Sequence, residues 1–329
     1  MRRIIFECTT GLIIFTIFTT LLLFDSNDES TIDDLEIPPK LKFIQGNSNQ
    51  TYKSLVVTAY INLGRTAKHS QENYNDWISI ISNIESPMVI YTDVIHKIEP
   101  YRKNKPTLFV ATSLKRLQKM GGMDDQTVRL QSFIDPQGRW HTPYLYVVWD
   151  AKHRLVYEAS EKYNYWNCDY FFWTDIGSFR TNYSLKYWPD PDRVDKAFQG
   201  ENRTLYAAVG WPTRYMNNYQ EDFGPFISRF IEGTFFGGNK FAIKNVFHKY
   251  YELKKKYMQK GSFIGNDQPI MSSLILSNKK DFLVLNSTDI PCMDSWFFFQ
   301  QYFASDAESL DQCLPNRLLP TIFLDKNTD

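Results

Sequence analysis

Histidine is scarce. The 329 residues hold five, His69, His96, His141, His153 and His248, and none stands in a paired metal-ligand spacing, which argues against zinc chemistry. Signatures of other common chemistries are missing too. There is no G-x-S-x-G elbow, no Walker loop and no G-x-G-x-x-G turn, so serine hydrolases, nucleoside triphosphatases and Rossmann dehydrogenases lose their main support. Neither sign of charge is in excess. With 37 basic residues against 37 acidic ones, no whole-molecule field draws the chain onto nucleic acid or an anionic membrane, and no nucleic-acid partner is expected. Internal repeats are absent.

What is plentiful is apolar and aromatic. Hydrophobic residues make up 43% of the chain and aromatic ones 16%, enough for the full core of one large domain. So many rings serve either core packing or stacking against a sugar or base. The first long apolar run is at the N-terminus. After Arg2 and Arg3, residues 4–24 read IIFECTTGLIIFTIFTTLLLF, with Glu7 the single charge. At about 1.5 Å per residue this run spans a bilayer's hydrocarbon layer. Arginines precede it and Asp25, Asp28 and Glu29 follow it, an arrangement that keeps residues 1–3 cytosolic and places the rest in the lumen of the ER or Golgi as a type II membrane protein. The alternative is a cleaved signal peptide and a secreted domain, although the run exceeds the usual apolar length and no small-residue cleavage site follows.

Two further features suit a secretory compartment. Sequons stand at Asn49, Asn182, Asn202 and Asn286. Beyond the anchor come three cysteines, of which Cys292 and Cys313 could pair across a plausible loop, leaving Cys168 as a buried free thiol at the start of an apolar strand. Residues 25–53, acidic and then proline-containing with little periodicity, read as a stem, and residues 54–329 as the lumenal domain.

Within that domain strands and helices alternate. SLVVTAY (54–60), PMVIYTD (87–93) and TLFVAT (107–112) are apolar runs of buried-strand type, and Trp77, Ile78, Ile81 and Ile84 share a helical face between the first two. Thr142 followed by Pro143 opens a long amphipathic segment carrying Leu145, Val148, Val156, Ala159 and Tyr163. It feeds into the strand YFFWT, which ends on Asp175. Another strand-like run, EGTFFGG, turns at Gly237 and Gly238 into a helix capped by Asn239, with Gly261 beyond its end. The alternation predicts an α/β domain, a mostly parallel sheet with helices on both faces. Ligands of such sheets gather outside the carboxyl ends of the strands, where Asn62, Arg65, Asp93 and Asp175 fall.

In order along the chain, VTAYINLGR (57–65), VIYTD (89–93), LYVVWDAK (145–152), FFWTDIGSFR (171–180), GTFFGG (233–238) and GNDQ (265–268) resemble the HtrL/YibB family. That resemblance runs from about residue 55 to residue 289 and implies a glycosyltransferase-like fold of GT-A type. It implies a reaction class, transfer of a sugar from a nucleotide-sugar donor to a hydroxyl acceptor on a glycan, glycoprotein or glycolipid, without naming the substrate. Such enzymes present Asp-x-Asp to a divalent cation, manganese or magnesium, that acts as a Lewis acid on the departing diphosphate. Here Asp175 stands alone, with Trp173 two residues before it and Gly177 two after. Completing a metal shell would fall to Asp169, a later carboxylate or water.

The resemblance assigns Asp175 to the metal or diphosphate, Arg180 to a phosphate, and Asn62, Arg65 and Asp93 to the nucleotide. Gly237 and Gly238 would floor the sugar site, and Asp267 would take the acceptor proton or orient the donor. Ordinary local chemistry competes at each position: an Asx-turn at Asp175, turn chemistry at Asn62 and Asp93, an N-cap at Asp267, a surface ion pair at Arg180. Two other functions remain open, a non-catalytic glycan-binding relative and a nucleotide-sugar hydrolase.

Overall fold

The computed structural model describes residues 38–47, 50–64, 69–180, 185–210, 216, 218–288 and 295–304. The chain divides after Pro38, and every element below belongs to the unit from Pro39 onward. Residues 4–24, Arg65, Asn49, Asn182, Cys292 and Cys313 lie outside the described residues. Among those described, no helix is long and apolar enough to cross a membrane.

Eight strands form one sheet: β1 (Leu41–Ile44), β2 (Ser54–Tyr60), β3 (Met88–Thr92), β4 (Thr107–Ala111), β5 (Tyr170–Thr174), β6 (Thr204–Ala208), β7 (Phe235–Asn239) and β8 (Phe282–Asn286). Their order across the sheet is β1-β4-β3-β2-β5-β7-β6-β8. The run β4-β3-β2-β5 and the pair β6-β8 are parallel, whereas β7 runs against both its neighbours and β1 runs against β4. The expected mostly parallel α/β sheet is therefore present. It begins earlier than Ser54, because the LKFI of β1 adds an edge strand from the segment read as stem.

Nearly every residue of the inner strands is buried, which fits a sheet covered on both sides. On one side Val56, Ile90, Phe109, Phe172, Leu205 and Phe235 meet Ile78 and Ile81 of helix α1 (Gln71–Ile81) in a single cluster. Short α2 (Ile95–Ile98) precedes β4, and α3 (Leu114–Gly121) and α4 (Asp125–Ile134) follow it. The other side is covered by α5 (Leu145–Lys162) and α7 (Lys240–Gln259), which also pack on each other. Between α5 and α7 comes α6 (Pro191–Phe198), whose Val194 and Phe198 join the first cluster; α8 (Asp267–Ser277) and α9 (Phe298–Tyr302) complete the set. His153 of α5 shows how tightly that second layer is locked. Its ring lies between Phe236 and Tyr250 at 4.5 and 4.1 Å, and Nε2 pairs with the Tyr206 hydroxyl at 2.9 Å. Burial and the neighbouring Lys152 pull its pKa down to about 3, so it is a neutral core residue.

Local signals explain several boundaries and correct two. Asn239 caps α7 by accepting from Ala242 N–H, and Gly261 takes the left-handed φ of 71° just past its end, both as expected. The long amphipathic helix starts at Leu145 and not at Pro143, because Thr142 accepts the Leu145 N–H through its carbonyl in a preceding turn. Helix α8 is capped by Asn266, whose side chain accepts from Gln268 N–H. That releases Asp267, one residue on, for another partner.

Candidate functional site

The chain runs outward from β2 to β3 and β4 on one side, and from β5 to β7, β6 and β8 on the other. Strand order therefore reverses between β2 and β5, and a crevice outside their carboxyl ends follows from the geometry of such sheets. A cleft of about 380 Å³ opens there, lined by Tyr60 at the end of β2 with Asn62 and Gly64 beyond it, and by Trp173 near the end of β5 with Asp175 and Gly177 beyond it.

Asp175 takes its position from β5. Its N–H donates to the Thr234 carbonyl at 2.8 Å, which extends the β5–β7 ladder by one rung. Residues two apart on a strand share a face, so Trp173 and Asp175 point the same way, and the indole Nε1 donates to Asp175 Oδ1 at 2.7 Å. Lys152, from the apolar side of α5, reaches the same oxygen with Nζ at 3.1 Å. It is also ion-paired with Asp267 Oδ2 at 3.0 Å and donates to the Gly233 carbonyl at 2.7 Å. The ammonium thus meets oxygens supplied by three separate segments.

Burial differs sharply among the three side chains. Lys152 is 3% exposed and Asp267 8%, whereas Asp175 keeps 30% of its side chain open to the cleft. Burial alone would lower the Lys152 pKa, but Asp175 and Asp267 outweigh it and hold the ammonium up at about 12. Burial likewise pushes the Asp267 carboxyl upward, Lys152 pulling against it and Asp175 adding to it. Beneath them sits Glu232, fully buried, with Oε2 accepting from the N–H and hydroxyl of Thr234. Burial raises its pKa to about 8, so it is a neutral acid across most of the physiological range.

The walls are aromatic. Arg180 lies with its guanidinium 4.5 Å from the ring of Trp77 and 4.5 Å from that of Phe297, and its Nε donates to the Gly177 carbonyl at 3.2 Å. Trp140, His141 and Trp149 also line the cleft, the last two in edge contact at 5.0 Å. His141 Nδ1 is paired with Asp135 at 2.8 Å, which holds the imidazole in place.

No family profile matches the sequence, and neither does any curated protein. Among solved structures the mannosyltransferase Ktr4p from S. cerevisiae, in complex with GDP, is similar over 75% of this chain and 73% of its own. The TM-score is 0.41 and the identity 10%.

The expected site residues divide into those the fold gathers and those it does not. Asp175, Asp267, Arg180 and Asn62 all line the cleft. Asn62 also makes the turn, its Oδ1 accepting from Gly64 N–H at 3.1 Å. Asp93 is exposed at the end of β3 and accepts the Asn62 N–H at 3.1 Å, so it ties two strand ends together and stands outside the cleft lining. Gly237 and Gly238 lie inside β7, opposite Phe172 and Phe171. A Cβ on Gly237 would come within 2.1 Å of the Phe172 ring, so close core packing accounts for the glycine; Gly233 and Thr234 take the place beside the cleft. Asp169 sits at the opposite end of β5 from Asp175 and is out of reach as a second ligand. Of the two described sequons, Asn286 is buried at 6% exposure, Oδ1 accepting from Thr288, and Asn202 is exposed. Cys168 is a buried free thiol, as expected.

Lys152 is the residue that the sequence reading missed. It stands four residues after Val148 and four before Val156, which puts an ammonium on the apolar stripe of α5. A charge in that register needs a buried partner.

As a cation site the carboxylate pair is poorly suited. Asp175 and Asp267 offer the hard oxygens a divalent ion prefers, but the Lys152 ammonium already lies between them. Among the described residues no group of three or more His, Cys, Asp or Glu side chains is placed to hold a metal.

Proposed function

We propose that this chain is a glycosyltransferase that moves a sugar from a nucleotide-sugar donor to a hydroxyl acceptor. The observation that carries the reading is the convergence, at the switch point of the sheet, of Asp175, Asp267 and Arg180 in one aromatic-walled cleft. Each group has a use in that chemistry. The Arg180 guanidinium, fixed between two rings, binds the diphosphate through parallel charge-assisted hydrogen bonds. The open edge of Asp175 accepts from hydroxyls of the transferred sugar. As the bond from the sugar's anomeric carbon to phosphate breaks, its electron pair leaves on the nucleoside diphosphate, and the acceptor oxygen forms the new bond. Asp267 takes the acceptor's proton, a role that suits a carboxylate whose pKa burial has raised. The rings of Trp140 and Trp149 present faces suited to the apolar side of a sugar. The N-terminal apolar run of residues 4–24 supports a membrane-anchored, lumenal setting in the secretory pathway.

Thermal shift and calorimetry of the full-length chain against UDP, GDP and CMP donors test the proposal. Binding of one donor class, weakened in Arg180→Ala, is the expected result. A well-folded protein silent across the panel contradicts it. The replacement of a second aspartate by Trp173 favours one alternative, a glycan-binding relative without catalysis. That alternative predicts carbohydrate binding with no nucleotide dependence.

A further inference from the structure

The strongest unexplained feature is the Lys152 ammonium, a cation placed by the fold at the centre of the site. We propose that Lys152 is the resident cation of this site, holding Asp175 and Asp267 together where a divalent ion would bridge them, and that the site works without such an ion. Its role in sugar transfer rests on the function proposed above; its exclusion of metal does not.

Three observations support this. First, the ammonium is surrounded by oxygen: Asp175 Oδ1 and Asp267 Oδ2 lie 3.1 and 3.0 Å from Nζ as ion pairs, and Nζ donates to the Gly233 carbonyl at 2.7 Å and to Asp175 Oδ2 at 3.5 Å. Contacts of that length stand where magnesium or calcium would need the same oxygens at roughly 2.0–2.6 Å. Second, the ammonium has nowhere to retreat. Lys152 is 3% exposed on α5, a helix packed against β2, β5, α3 and α7, and leaving its place would strand a buried charge. Third, the second aspartate of an Asp-x-Asp pair has no room. A Cβ at Gly177 would meet the Trp77 ring at 2.8 Å, and Trp173 fills the position on the other side with its indole N–H on Asp175. A divalent ion at the open edge of Asp175 would have one protein carboxylate and a fixed positive charge behind it.

Lys152 is thus a positioning residue, acting through the two carboxylates it orients. It supplies a positive charge fixed in place by the helix that carries it.

Manganese itself is the probe. In the full-length chain, titration followed by the EPR signal of free manganese should show no site that depends on Asp175: wild type and Asp175→Asn bind alike up to millimolar ion. Lys152→Met, which keeps the bulk and removes the charge, should gain one site about tenfold tighter or more, lost again in Lys152→Met/Asp175→Asn. One-to-one binding by wild type that Asp175→Asn abolishes overturns the proposal, and so does a folded Lys152→Met that gains nothing. If Lys152→Met does not fold, the comparison of wild type with Asp175→Asn decides alone. Whichever nucleoside diphosphate the donor panel returns should bind within about threefold in EDTA and in manganese. An Asp175-dependent requirement for manganese in that binding overturns the proposal as well, whereas a silent panel bears on the proposed function only.

Discussion

Trp173 of β5 and Asp175 just past its end are joined side chain to side chain, the indole N–H on the carboxylate at 2.7 Å. The apolar strand that leads to the acid carries, in its last ring, the donor that holds it. Trp173 is 1% exposed, so the bond is sheltered and the carboxylate is aimed by a rigid body.

Trp173→Phe keeps most of the packing and removes the donor. A lost hydrogen bond to a charged group plus a small cavity amounts to about 2–3 kcal/mol. Urea denaturation should show that destabilisation, and donor affinity should fall with it because Asp175 is then held by Lys152 alone.

Gly177→Asp rebuilds the familiar Asp-x-Asp spelling and is expected to fail. The new Cβ would press on the Trp77 ring at 2.8 Å, and overpacking of this kind costs about 1–3 kcal/mol. Trp77 is also one of the rings that sandwich Arg180, so nucleotide affinity should drop and no manganese dependence should appear.

Glu232 links stability to pH. Its folded pKa, raised from 4.5 to about 8 chiefly by burial, means the folded chain keeps a proton that the unfolded chain releases. Stability from this group is full below about pH 4.5, declines by up to about 1.4 kcal/mol per pH unit as pH rises, and levels off above pH 8. Glu232→Gln, which keeps an acceptor for Thr234, should flatten that decline in urea midpoints measured from pH 5 to 8.

Arg180→Lys should not rescue Arg180→Ala. The planar guanidinium stacks between Trp77 and Phe297 and can meet a diphosphate with two parallel bonds, which an ammonium cannot do. Losing one or two charge-assisted bonds weakens binding by about ten- to a hundredfold. Asp93→Asn, outside the cleft, should leave that affinity unchanged and cost some stability through the Asn62 turn.

Much of this was legible in the letters. Buried strands announced themselves as short apolar runs, and their polar ends located the crevice, because a doubly covered sheet leaves its polar residues at the strand termini. Asp175 stands at such an end and lines the cleft. Asp267 lines it too, and the N-cap expected of it is made by Asn266, which leaves the carboxylate for Lys152. Asp93 and the Gly237–Gly238 pair fall outside the cleft lining for a different reason. Whether a strand-end acid faces a cleft or a neighbouring backbone N–H, and whether a glycine serves a ligand or an adjacent phenylalanine, depends on sheet register, and register is a property of partners far away in sequence. Lys152 was visible as a charge out of place on an apolar helical face, although only the fold names its partners.

The most direct test is a crystal structure of the full-length chain saturated with the nucleoside diphosphate that binds best, grown once in EDTA and once in manganese. Diphosphate oxygens are expected within hydrogen-bonding distance of the Arg180 guanidinium, with Lys152 still between Asp175 and Asp267 and no ion bridging the two carboxylates in either crystal. A nucleotide seated away from this cleft, or a manganese ion in the place of the ammonium, contradicts that expectation.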